Sequence, residues 1–157
     1  MKLNLKRLLA HLAIPLAVGG LSALLSVSGM RSFAALPQPG FAPPGWLFPV
    51  VWTLLYLLMG VASYLVAVSG GQPEAIRSAM HAYAAQLVLN FFWSIIFFDL
   101  QLFGTAFFWL ILLWGAILLN IVRFWRLSRP AGVLLLPYLA WVSFAGVLTF
   151  AIWMLNR

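Results

Sequence analysis

Polar and apolar positions alternate along this chain in long blocks: 8–28, 46–68, 78–98, 100–122 and 130–156 contain no Asp, Glu, Lys or Arg. An α-helix rises 1.5 Å per residue, so each block is long enough to cross a hydrocarbon core of roughly 30 Å. The pattern predicts an all-α, polytopic membrane protein: one domain over 1–157, built as a bundle of five transmembrane helices. Pro15 and Pro137 lie inside the first and last blocks, where neighbouring helices satisfy the backbone groups that proline frees. Ser69-Gly70-Gly71-Gln72-Pro73-Glu74 separates the second block from the third, with Pro73 suited to a first helical turn and Glu74 to its positive dipole end. Ser128-Arg129-Pro130 repeats that punctuation before the fifth. Only Asp99 divides the third block from the fourth, and a tight turn is expected across Asp99 to Gly104.

Composition agrees: 65% of the residues are hydrophobic and 7% charged, against about 25% charged in a soluble domain. The net charge of +7 belongs to loops and ends. It forms no continuous basic stripe able to track phosphates, so nucleic acid is not an expected partner and the lipid bilayer is. With no cysteine there is no disulfide framework, thiolate nucleophile or Cys-containing metal site. The basic start before Leu8 imitates a signal peptide, but the run that follows has spanning length and no clear small-x-small cleavage site, so it reads as a retained helix.

Charge asymmetry tests the number of crossings. Five crossings with the N-terminus in the cytoplasm put Lys2, Lys6, Arg7, Arg77, Arg123, Arg126 and Arg129 inside and only Arg31 and Arg157 outside. Fusing the third and fourth blocks would send the Arg123, Arg126 and Arg129 cluster outside. The C-terminus is therefore expected on the non-cytoplasmic side. There too should lie the long connection 29–45, whose Phe33, Pro37, Pro39, Phe41, Pro43 and Pro44 suit a stiff lid packed on the bundle.

Helical spacing gathers the remaining chemistry into stripes. The second span aligns Phe48, Trp52, Tyr56, Met59 and Ser63; the third Gln86, Asn90, Trp93 and Phe97; the fifth Tyr138, Trp141, Ala145 and Leu148. Amides in hydrocarbon need partners, so Gln86 and Asn90 should face inward, either as helix-to-helix glue or as pocket groups. Trp109, Trp114, Trp125 and Trp153 are explained as interfacial anchors or lipid-facing bulk. Trp46, Trp52, Trp93 and Trp141 lie in the outer halves of their spans. Converging there, they would form either bundle packing or a flat apolar slot with a few hydrogen-bonding groups, the make-up of a small-molecule pocket. His11 and His81 have no second ligand at metal-binding spacing, and Glu74 and Asp99 fall at opposite membrane faces, too far apart for paired acid and base work. No catalytic residues or metal ligands are assigned.

Three motifs carry a resemblance. They are Pro43-Pro44-Gly45-Trp46 with Pro49, Trp52 and Tyr56 to Gly60; Ala85-Gln86 to Asn90 with Trp93 and Ile96-Phe97-Phe98; and Leu136-Pro137-Tyr138 to Trp141 with Phe144. Over nearly its whole length the chain resembles the tryptophan-rich sensory protein or translocator protein family, also called peripheral benzodiazepine receptors. The resemblance implies a five-helix bundle, usually a homodimer, whose first loop covers a cavity. It also implies binding of porphyrins and other tetrapyrroles, with cholesterol and benzodiazepine-type drugs as further ligands of eukaryotic members. The cavity positions it carries over are Trp46, Trp52, Tyr56, Asn90, Trp93, Trp141, Phe144, Ala145 and Leu148, and the second-span stripe adds Phe48.

Ser32-Phe33 and Phe41 replace aromatic residues common in the family's first loop, and Thr149-Phe150 replaces Asn-Tyr, so the proposed cholesterol motif is absent. The expected function is a membrane receptor or sensor that binds a porphyrin as ligand, with no resident cofactor, and that transports or regulates porphyrins. Light-dependent porphyrin breakdown and a plain transporter or scaffold are the alternatives.

Overall fold

The computed structural model describes residues 4–157, so Lys2 lies outside the described residues. Among the described residues seven α-helices follow one another: α1 (Leu5–Leu25), α2 (Val27–Phe33), α3 (Leu47–Ala67), α4 (Pro73–Ser94), α5 (Phe103–Leu127), α6 (Arg129–Leu134) and α7 (Leu136–Leu155). They make five membrane-length rods: α1, α3, α4 with the π-helical turn Ile95–Asp99, α5, and α6 continued by α7. The all-α, five-span architecture is therefore as the apolar blocks predict.

Several boundaries differ from the sequence reading, each for a local reason. α1 opens at Leu5 because the Asn4 side chain accepts the Arg7 N–H and caps the first turn. α4 opens at Pro73, as its suitability for a first turn implies and ahead of the uncharged block that begins at 78, since a proline there forfeits no helical hydrogen bond. α5 runs from Phe103 to Leu127 instead of 100–122; Arg123 stays helical and donates to Ser78 O at 2.7 Å, anchoring that end of α5 on α4. The last rod breaks at Leu135, where Leu135 N–H closes a turn on Gly132 O and Pro137 starts the next helix.

The lid differs most. Residues 29–33, expected in a loop, belong to α2, and the irregular connection covers only 34–46. Helix α1 stops at Ser26, whose backbone N–H bonds Ser22 O and whose hydroxyl donates to Asp99 Oδ2 at 3.2 Å. The chain resumes as α2, pressing Gly29 against the Phe98 carbonyl and Phe33 onto Phe97, Phe98 and Phe103. The turn at Asp99 is as expected: Leu100, Gln101 and Leu102 reverse the chain, with Gln101 at φ 50°.

Rods that are neighbours in sequence run antiparallel, and the packing pairs are α1 on α3, α3 on α6, α4 on α5, and α5 on α7. α1 and α3 approach closely because Gly60 has no side chain; a Cβ there would stand 2.8 Å from Leu12 Cα and 2.9 Å from His11 O. One turn on, His11 Nδ1 and Ser63 Oγ share a hydrogen bond of 2.8 Å. The core between the rods holds Met59, Leu113, Ile117, Phe124 and Tyr138, all essentially inaccessible. Outward the same rods display Leu24, Leu54, Val88, Phe108 and Val147, an arrangement stable only where lipid is the solvent. Lys6, Arg7, Glu74, Arg77, Arg123, Arg126 and Arg129 gather at one end of the bundle; Arg31, Asp99, Arg157 and the 34–46 connection occupy the other.

Candidate functional site

Helices α3, α4 and α7 bring their stripes together toward the end that carries the 34–46 connection. At the deepest point lies a chain of hydrogen bonds between buried side chains. Tyr56 OH donates to Asn90 Oδ1 at 2.7 Å, Asn90 Nδ2 donates to Tyr138 OH at 2.9 Å, and Tyr138 OH donates to Gln86 Oε1 at 2.9 Å. Gln86 Nε2 ends the series on the Met59 sulfur at 3.9 Å. All the bonds run in one direction, so each polarises the next in a medium of low dielectric constant. Both ends of the Asn90 amide are used, which is how so polar a group is tolerated at 1% exposure.

Aromatic rings lie against this chain on its lid side. Trp52 stacks on Tyr56 with centroids 5.6 Å apart, meets Trp93 at 6.5 Å and stands edge-on to Tyr138 at 6.1 Å. Trp93 stacks in turn on Phe97 at 5.1 Å. A second group links Phe48 to Trp141 at 5.9 Å, Trp141 to Phe144 at 5.4 Å, and Phe144 to Phe41 of the irregular connection at 6.5 Å. The connection thus reaches the site through Phe41, and it is tied down beyond it by Asn156 Nδ2, which donates to Pro37 O at 3.1 Å. The indole N–H groups of Trp93 and Trp141 are buried with no acceptor among the described residues. Such groups cost free energy until something accepts from them.

Seven of the ten site residues named from the sequence meet in this region, and two more are buried on α7. Phe48, Trp52, Tyr56, Trp93, Trp141 and Phe144 supply rings, Asn90 the central amide, and Ala145 and Leu148 buried apolar surface on the same helix. Trp46 does not join them: it precedes the first turn of α3, is 67% exposed, and makes none of the ring contacts. Tyr138 and Gln86 were in the sequence stripes but not among the named site residues, yet Tyr138 is the hub of the polar chain. Phe41 was assigned only to the lid. Phe97 lay on the third-span stripe and extends the ring stack.

The stacking distances limit what a flat ligand can do. Sandwiching a disc needs two contacts of about 3.5 Å each, so rings roughly 7 Å apart. Trp52 and Tyr56, and Trp93 and Phe97, are closer than that. No flat ring fits between either stacked pair as they stand, and the Phe48, Trp141 and Phe144 rings are also too close together to sandwich one.

Residues 11–154 match the sequence profile of the TspO/MBR family. The chain belongs to that family. It is 38% identical over 155 residues to the tryptophan-rich protein TspO of Archaeoglobus fulgidus, covering 98% of this chain and 99% of that one. It is 42% identical over 124 residues to the protein of the same name from Chlorobaculum tepidum, covering 79% and 78%. The translocator protein of Homo sapiens shares 39% identity over 130 residues, covering 82% and 77%. The TspO/MBR match spans all five rods, so the aromatic cluster and the amide and phenol chain both lie in the shared portion.

Proposed function

We propose that this TspO/MBR protein is an integral membrane receptor or sensor for a tetrapyrrole of the porphyrin type. The observation that carries the reading is the joining of aromatic faces to orienting polar groups in one region beneath the connection 34–46. Rings of Phe48, Trp141 and Phe144 offer apolar faces to a flat aromatic disc. The unmatched Trp93 and Trp141 N–H groups offer donors to its polar edge. Apolar faces beside a few fixed hydrogen-bonding groups suit holding and orienting a flat ligand.

The basic residues at the far end of the bundle support an orientation in which that end faces the cytoplasm and the ligand region faces away from it. Titrating the purified chain with protoporphyrin while following tryptophan emission tests the assignment. Quenching should saturate, and Trp141→Ala and Asn90→Ala should each weaken it. Equal binding by both variants and the parent protein would refute the site.

A further inference from the structure

A cleft on the outer surface between α5 and α7 uses the face of α7 turned away from the aromatic site. Its larger part, about 570 Å³, is lined by Phe107, Ile111 and Trp114 of α5 and by Val142, Val147 and Phe150 of α7. The polar groups here are already matched: Trp114 Nε1 donates to Ser143 Oγ at 2.9 Å, and Ser143 Oγ donates to Leu139 O at 2.8 Å. An occupant of this part must therefore be apolar.

Toward the end that carries the 34–46 connection the cleft becomes polar. Gln101, Thr105, Trp153, Asn156 and Arg157 line this mouth. Phe107 and Phe150 of the groove lie 6.2 and 6.0 Å from Trp153 of the mouth, so the two parts adjoin along the α5 and α7 seam. The Arg157 guanidinium sits over the Trp153 ring at 5.6 Å. No Asp or Glu side chain lines either part, and Asp99 turns toward the start of α2, where Ser26 just before it donates to the carboxylate. The Asn156 amide is spent on Pro37 O and Ile152 O. Gln101 and Thr105 make no side-chain hydrogen bond among the described residues, and Arg157, whose guanidinium also donates to the Met154 sulfur, is the cation at this mouth.

Length completes the argument. From Thr105 to Trp114 the seam runs roughly 14 Å at 1.5 Å per residue, about half a hydrocarbon core of roughly 30 Å. That is the depth of one leaflet. We propose that this cleft binds one anionic phospholipid, with an acyl chain in the groove and the phosphate headgroup at Arg157. A second copy of the chain fits less well, because a parallel two-fold contact centred here would bring Arg157 and the partner's Arg157 to the same membrane depth.

Native mass spectrometry of the full chain in detergent, titrated with phosphatidylglycerol and with phosphatidylcholine of identical acyl chains, tests this. One phosphatidylglycerol per chain should be retained about fivefold more tightly than phosphatidylcholine at low ionic strength, the scale of one basic side chain at a headgroup. Arg157→Gln should abolish the difference. Ile111→Trp with Val147→Trp, both at outward-facing positions, should fill the groove and release both lipids, and inorganic phosphate should displace neither. Equal retention of the two lipids, a preference surviving Arg157→Gln, or retention surviving the double tryptophan variant would overturn the proposal. So would displacement by inorganic phosphate, which would mark a simple anion site, or a dimer that the tryptophan variant splits, which would mark a second copy as the occupant.

Discussion

Asn90 of α4 and Tyr138 of α7 meet in the interior of the bundle, the amide nitrogen donating to the phenol oxygen at 2.9 Å. Tyr138 passes its own hydrogen to Gln86, one turn from Asn90 on the same helix, and so holds two amides of α4 at once. Tyr56 reaches Asn90 alone. The two phenols therefore differ in what their loss would strand.

Tyr138→Phe leaves Gln86 Oε1 without its donor and Asn90 Nδ2 without its acceptor. Each stranded buried group costs about 1–3 kcal/mol, so the loss is about 2–6 kcal/mol. Tyr56→Phe strands only Asn90 Oδ1 and should cost about 1–3 kcal/mol. Thermal unfolding of the two variants in the same detergent checks the order. A Tyr56→Phe protein as unstable as Tyr138→Phe would contradict the hub.

Gly60→Ala should loosen α1 from α3. Its new Cβ would meet the Leu12 backbone at 2.8 Å, and backbone cannot swing aside as a side chain can. Overpacking of this kind costs about 1–3 kcal/mol. Gly20→Ala is the control, since nothing lies within 4 Å of its Cβ position. There the helix should gain up to about 1 kcal/mol from the better propensity of alanine. Melting temperatures moving down for the first and up or not at all for the second are the expected pair.

The five rods were legible because lipid tolerates few unpaired charges, which leaves the spans as uncharged runs whatever their packing. Boundaries were less so. Gly29 and Arg31 interrupt the apolar run and read as loop, but α2 is held by Phe33 on Phe97, Phe98 and Phe103, contacts distant in sequence. Periodicity placed Tyr138, Gln86 and Asn90 on inward stripes. That Tyr138 bridges the two amides depends on the relative height and rotation of α7 and α4, which spacing along one helix does not contain. Trp46 shows the converse: family motif and span both selected it, but its place before the first turn of α3 sends it outward.

Gln101→Gly should stabilise the reversal between α4 and α5. Gln101 holds φ 50°, where a side chain costs roughly 1–2 kcal/mol and glycine is at ease. Glycine also raises the entropy of the unfolded chain, which offsets part of the gain and leaves up to about 1 kcal/mol. Gln101 also lines the mouth of the α5 and α7 cleft, so the substitution should weaken phosphatidylglycerol retention while raising the melting temperature. Opposite movements in the two measurements separate strain at the turn from headgroup contact.

Trp46 and Trp52 separate what family position and geometry each imply about the porphyrin. Both are carried over as cavity residues, but only Trp52 touches the cluster, through Tyr56, Trp93 and Tyr138. Trp52→Phe keeps an aromatic ring and should weaken protoporphyrin binding little. A porphyrin that also reaches Trp52 loses one aromatic contact worth about 0.5–1.5 kcal/mol in Trp52→Ala, so quenching should need up to about tenfold more ligand, the factor that 1.4 kcal/mol represents. Trp46→Ala should leave the titration unchanged, because its ring stands clear of the others. If Trp46→Ala instead weakened binding as much as Trp52→Ala, the ligand would have to draw Trp46 inward, and the 34–46 connection preceding it would close on the porphyrin rather than merely cover it.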